Sequence, residues 1–264
     1  MKSNSNLLRQ ITNLVAIVAA FGTNVAANIA PIKGLNIGEI SNTLFKDVLI
    51  TPASYAFAIW GVIYLGLFSF AIYQVLPNQR QNPHLHRVSY FLVASSLAQI
   101  AWVFFFLSRW FLLSLLAMIG ILIPLIVVTQ RLGIGKKKFS RRDKWLIQIP
   151  ISIYLAWISV ATIVNTATVL YHRGWNGWGI SPQLWTVGVL ILAGILGAWM
   201  SAVRRDTAFV LVYLWALCAI ALRHLEQPII ALTAGSIALL ILLLLVLSYL
   251  RRPKIAPGSK TNNS

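Results

Sequence analysis

Eight long apolar runs, separated by short polar or basic segments, leave this chain few ways to fold. They cover about residues 11–30, 53–76, 88–107, 110–130, 145–170, 184–203, 207–223 and 228–250. A helix needs roughly 20 apolar residues to cross the hydrocarbon core of a bilayer. Lipid offers no partner to a free backbone N–H or C=O, so such a run must close its hydrogen bonds internally, as a helix does. A transmembrane barrel would show short alternating segments, and none is present. The expected fold class is all-α: a polytopic transmembrane helix bundle of about eight spans. The make-up agrees, with 58% hydrophobic and only 10% charged residues in 264. A soluble domain of that composition would expose large apolar patches.

The formal charge is +17, from 22 Lys and Arg against five acids. A basic excess can signal nucleic acid. Here the basic residues cluster at the ends of the apolar runs, which fits the positive-inside rule and argues for a lipid bilayer as partner, with no nucleic acid. One set of alternate segments carries Lys2, Arg9, Arg80, Arg87, Arg131, Lys136, Lys137, Lys138, Arg141, Arg142, Lys144, Arg204, Arg205, Arg251, Arg252, Lys254 and Lys260. The other carries only Lys33, Lys46, Arg109, Arg173 and Arg223. This asymmetry predicts an integral, multi-pass membrane protein with both termini cytoplasmic. Cys218 is the only cysteine, so no intrachain disulfide can form.

Lys2 and Arg9 before a short apolar core, with Ala26, Ala27 and Ala30 after it, also fit a signal peptide. Asn24 and Asn28 continue a helix-length segment, which favours a retained first span. Residues 31–52 form a non-cytoplasmic loop with two glycines and two prolines, long enough to be a functional lid or a plain linker. The basic 131–144 loop is expected to set topology and to meet anionic headgroups. Residues 253–264 are expected to be a disordered polar, basic tail.

The stretch Tyr154–Asn165, YLAWISVATIVN, is the most informative. Tyr154, Trp157, Ala161 and Asn165 share one helical face. Counted from Trp145, Trp157 lies about 18 Å into its span. Tryptophan prefers the headgroup interface, so one at mid-depth is expected to face protein or ligand. Asn165 needs a polar partner and should face the bundle interior. Asn24 and Gln99 are further uncharged polar residues within spans, suited to interhelical hydrogen bonds. Phe57, Trp60 and Tyr64 form an aromatic stripe at i, i+3, i+7. That stripe serves either interhelical packing or one wall of a pocket for a flat ring system.

Three stretches together resemble the TspO/MBR family, the tryptophan-rich sensory proteins. They are TPASYAFAIWGVIYLGL (residues 51–67), AQIAWVFFFLSR (98–109) and YLAWISVATIVN (154–165). The resemblance covers roughly residues 11–178 and implies a five-helix unit over residues 1–178, followed by three additional transmembrane helices over 179–252. It further implies a ligand cavity lined by Trp60 and Trp157, with Trp102 a third candidate. The proposed ligand set is Phe57, Trp60, Tyr64, Trp102, Tyr154, Trp157, Ala161 and Asn165. The chain departs from the family pattern at Ala58 and Ile153, where prolines are usual. Ser54 or Tyr55 replaces a tryptophan, and an asparagine beside Trp102 is missing. These changes bear on ligand chemistry more than on fold.

Val169, Tyr171 and Arg173 satisfy the loose sterol-contact pattern, which an ordinary Tyr/Arg interface anchor satisfies equally. Trp102, Trp110, Trp145, Trp175, Trp178 and Trp185 sit at span ends and are mostly expected in interfacial belts, the cavity reading of Trp102 staying open beside it, and Trp199 and Trp215 are expected in packing. Ala193/Gly197 and Gly194/Ala198 give small-xxx-small spacings that permit close helix contact or a homodimer.

The sequence shows no catalytic constellation, no metal-ligand set and no phosphate-binding glycine loop. No carboxylate lies deep in a span, which weighs against ion-coupled transport. Three functions remain. The first is a TspO-like receptor or sensor for a hydrophobic planar ligand, by resemblance a porphyrin, haem or other tetrapyrrole. The second is a small-solute transporter, and the third, from the resemblance alone, is a porphyrin-degrading enzyme. None of them requires a resident cofactor.

Overall fold

The computed structural model describes residues 2–250, with side chains from residue 6 onward, so the expected 253–264 tail lies outside the described residues. The described chain is all-helical. The long helices are α1 (Lys2–Ile29), α3 (Ile59–Val75), α5 (Phe91–Leu107), α6 (Phe111–Leu132), α8 (Ile149–His172), α9 (Pro182–Trp199), α10 (Thr207–Arg223) and α11 (Pro228–Leu250). They fall on the eight apolar runs. Short helices fill connections: α2 (Ile37–Thr43), α4 (Pro83–Val88) and the single turn α7 (Arg141–Asp143). A 3-10 turn over Ser54–Ala58 leads into α3, and π turns precede α8 and follow α9.

Among the described residues six segments are long and apolar enough to cross a membrane; α5 and α10, at 17 residues, are shorter. At 1.5 Å per residue a 17-residue helix is about 26 Å long, just under the hydrocarbon thickness. The predicted start of the third span at residue 88 falls before a break. Ser89 has φ +48° and ends α4, so α5 begins at Phe91.

Five helices close into a ring. α1 packs on α3 and α5, α5 on α6, α6 on α8, and α8 back on α3. α10 then packs on the outside of α8, and α11 lies against both α10 and α9. Small residues set this second layer. A Cβ at Gly194 would come within 2.8 Å of Ile237, and one at Gly197 within 3.2 Å of Tyr213. The small-residue face of α9 is therefore filled by α11 of the same chain. Gly197→Ala also meets the flexible end of Ile241. It is expected to lower stability by about 1 kcal/mol, seen as a modest fall in thermal midpoint in detergent.

The two layers are tied at both ends. On the side of the 31–52 segment, Ala53 N–H donates to Ala219 O and the Trp215 indole donates to Ala56 O, each at 3.1 Å. Arg223 reaches Asn42 Oδ1 at 2.8 Å and Pro52 O at 3.1 Å. On the opposite side, Arg204 donates to Ile134 O at 3.1 Å, and Asp206 accepts from Ser152 at 2.6 Å while capping α10. Burial in this joint raises the Asp206 pKa above the usual carboxylate value, partly offset by the hydrogen bond from Ser152.

His224, just past α10, is buried, and its Nε2 has no partner among the described residues. Burial, then the nearby Arg223 charge, lowers its pKa. A histidine whose folded pKa is depressed binds its proton more readily when unfolded. It therefore contributes stability above its unfolded value near 6.5, which is lost as pH falls through the folded pKa. Thermal midpoints measured from pH 8 to 5 should fall in the wild type and fall less in His224→Gln.

Candidate functional site

Three tryptophans from three ring helices converge on one cavity. Trp60 comes from α3, Trp102 from α5 and Trp157 from α8, and all are buried. The cavity measures about 50 Å³, and Phe57, Phe106, Met118, Ala161, Val164 and Asn165 share its walls. Ile37 and Ser41 of α2, with Pro52, close the end nearest the 31–52 segment. The helix that carries them has a local cause. Asn36 Oδ1 accepts from Glu39 N–H at 2.9 Å, and Glu39 accepts in turn from Asn36 N–H at 2.7 Å, a complete capping box.

Six of the eight predicted ligand residues line this cavity: Phe57, Trp60, Trp102, Trp157, Ala161 and Asn165. Tyr64 and Tyr154 do not. They sit behind Trp60, whose ring stacks on Tyr64 at 5.8 Å and meets Tyr154 edge-on at 6.3 Å. Their hydroxyls belong to a buried chain: Tyr154 donates to Gln99 Oε1, Gln99 Nε2 donates to the Tyr64 oxygen at 2.6 Å, and Tyr64 donates to Ala20 O at 3.1 Å. That chain joins α8, α5, α3 and α1 and fixes the floor on which Trp60 rests.

Asn165 works as a clamp. Its Oδ1 accepts from the Trp102 indole at 2.9 Å, and its Nδ2 donates to Ser114 Oγ at 3.1 Å. Ser114 donates its own proton to Phe111 O at 2.7 Å. Replacing Asn165 with Leu strands the Trp102 donor and should cost about 1–2 kcal/mol, read as a lower thermal midpoint.

The cavity wall carries no ionisable group. Its hydroxyls are already used locally, Ser41 donating to Ile37 O and Thr168 to Val164 O. By contrast, among the described residues neither the Trp60 nor the Trp157 indole N–H has a hydrogen-bond partner. A wall of this kind offers ring faces for stacking and indole N–H groups for an acceptor.

Sequence reasoning missed Phe106, Met118, Ser114 and the contribution of α2. Phe106 was readable: it lies four residues after Trp102 on the same face, and the rings stack at 5.4 Å. The Asn36-x-x-Glu39 spacing would have marked α2. Met118 left no signal of its own. Of the sterol-like residues, Tyr171 donates to Asp47 at 3.1 Å and lines a different crevice, while Val169 is buried. Arg173 lines neither cavity. Trp110, Trp145 and Trp178 are exposed, whereas Trp102 is buried, against its expected place in a belt, because its indole donates to Asn165 inside the ring.

Apolar helices around an uncharged, tryptophan-lined chamber define a multi-pass membrane protein. The chain belongs to the TSPO-like protein family, whose model matches residues 10–247. The match runs from α1 into α11, so it takes in the three C-terminal helices as well as the 11–178 stretch that carries the motifs. No curated protein and no solved structure matches the chain.

Proposed function

We propose that the chain is a membrane receptor or sensor that binds a hydrophobic planar ligand, a porphyrin or related tetrapyrrole, within its five-helix ring. The observation that carries this reading is the meeting of Trp60, Trp102 and Trp157 from three helices around one uncharged chamber. Indole faces stack on flat ring systems. The two unpartnered indole N–H groups offer donors to acceptors at a ligand's edge. At about 50 Å³ the chamber is closed around little more than water. Entry of a macrocycle therefore requires its walls to part, and α2 with Pro52 is the wall outside the ring. The Lys and Arg distribution supports cytoplasmic termini and eight crossings, which puts the 31–52 segment and this entry on the opposite side.

The test is a tryptophan-quenching titration of the purified full chain with a soluble porphyrin. Saturable quenching is expected, with affinity lowered roughly 100-fold in a Trp60→Ala, Trp157→Ala double variant, as for loss of two stacking anchors. Unchanged affinity in that variant would overturn the reading.

A further inference from the structure

A second, larger space lies outside the five-helix ring. It is a crevice of about 590 Å³ between the end of α8, the first turns of α9 and residues 47–50. This volume falls in the range of small-molecule sites. Its body is apolar, with Val48, Leu49, Leu170, Val189 and Leu192 among its walls. Leu192 is also 67% exposed, so the crevice opens along the face that the bilayer covers.

One end of the crevice differs in chemistry. Trp175, Trp185 and Tyr171 line it, together with the carboxylate of Asp47. This rim is built rather than incidental. Trp175, Trp178 and Trp185 are in mutual contact, with ring centroids 5.0–5.8 Å apart. The Trp185 indole donates to Gly177 O at 2.8 Å. Gly177 has φ +66°, and a Cβ there would stand 3.1 Å from the Trp185 ring, so the turn is shaped around that indole. Asp47 is one of only five acids in a chain of charge +17. Among the described residues it has no ion-pair partner, and Tyr171 is its hydrogen-bond donor.

We infer that this crevice binds a membrane lipid whose head carries a quaternary ammonium, a choline-type phospholipid, with one acyl chain lying along α8 and α9. Aromatic faces beside a carboxylate attract a weakly hydrated cation through cation–π and Coulomb terms. The apolar body takes the chain, and the opening on the lipid face gives it a lateral path. The site is separate from the tryptophan chamber and stands or falls independently of the proposed receptor function.

Native mass spectrometry of the full chain in a maltoside detergent tests this. The probes are phosphatidylcholine and phosphatidylglycerol with identical acyl chains. The wild type should retain phosphatidylcholine roughly tenfold better. Asp47→Asn, at an exposed position, should cut that preference several-fold while leaving chain binding. Leu192→Trp, which fills the crevice from a lipid-facing position, should abolish retention of both lipids. Equal retention of the two lipids by the wild type would overturn the inference. So would a preference unchanged by Asp47→Asn, or retention unchanged by Leu192→Trp.

Discussion

Gly135→Ala is expected to lower stability by about 2–4 kcal/mol, the largest effect of a methyl group added to any of the described glycines. Gly135 follows the αL end of α6 at Gly133 and has φ +81°. An alanine there would carry the strain of the left-handed region. Its Cβ would also collide with the Arg204 carbonyl oxygen and come within 2.9 Å of the Arg204 Cα and Cβ. These are backbone and near-backbone atoms, so no side-chain rotation relieves them. The contact matters because Arg204 also donates to Ile134 O and lies over the Trp199 ring at 5.0 Å. This turn is where the α6 end of the ring grips the α9 end of the outer layer. Thermal unfolding in detergent should show a large fall in midpoint, with protease cutting between α6 and α8 or between α9 and α10 sooner than in the wild type. Gly174→Ala is the control. It shares a positive φ, of +65°, but has open space where the added methyl would stand, so only the backbone strain remains. If both variants lose equal stability, the close approach to Arg204 contributes nothing.

The long helices were legible in the sequence because lipid imposes one solution on a long apolar run. The inward facing of Trp60 and Trp157 was legible for a related reason, whereas Trp102, near the end of its span, read as a belt residue. A tryptophan at mid-depth, such as Trp157, has no interface to sit in and must turn inward. Asn165 follows the same logic: its amide is buried and bonded to Trp102 and Ser114. Direction failed where the sequence is uniformly apolar. α3 and α11 are hydrophobic all round, so periodicity could not say which face meets protein. The α9 glycines looked as suited to a homodimer as to internal packing, and only the return of α11 across the face filled them within the chain. Tyr64 and Tyr154 share faces with Trp60 and Trp157, yet each is one turn too deep to reach the chamber. Spacing along a helix fixed their side of the bundle and left the height of the cavity floor open.

That floor gives the second large effect. Gln99→Leu is expected to cost about 1–3 kcal/mol and to weaken the proposed porphyrin binding as well. Gln99 is buried between two tyrosines that it serves in opposite senses, accepting from Tyr154 and donating to Tyr64. Leucine keeps roughly the volume and removes both roles. The Tyr154 hydroxyl then has no acceptor in the chain that linked it to α5. Tyr64 still donates to Ala20 O, so its half of the network survives. Trp60 rests on both rings and should lose its fixed orientation, which couples the stability loss to the binding loss. Gln99→Glu separates the hydrogen-bond explanation from simple packing. A protonated carboxyl accepts from Tyr154 and donates to Tyr64 as the amide does, whereas a carboxylate at this depth is uncompensated. A buried carboxyl is tolerated while neutral at acid pH, and its ionisation costs more as pH rises, because the unfolded chain can ionise it freely in water. Gln99→Glu should therefore approach wild-type stability near pH 4, relative to the wild type at the same pH, and fall away towards pH 8. Gln99→Leu should show no such trend. A Glu variant that tracks Leu at every pH would mean that shape, and not the relay from Tyr154 to Tyr64, holds the floor in place.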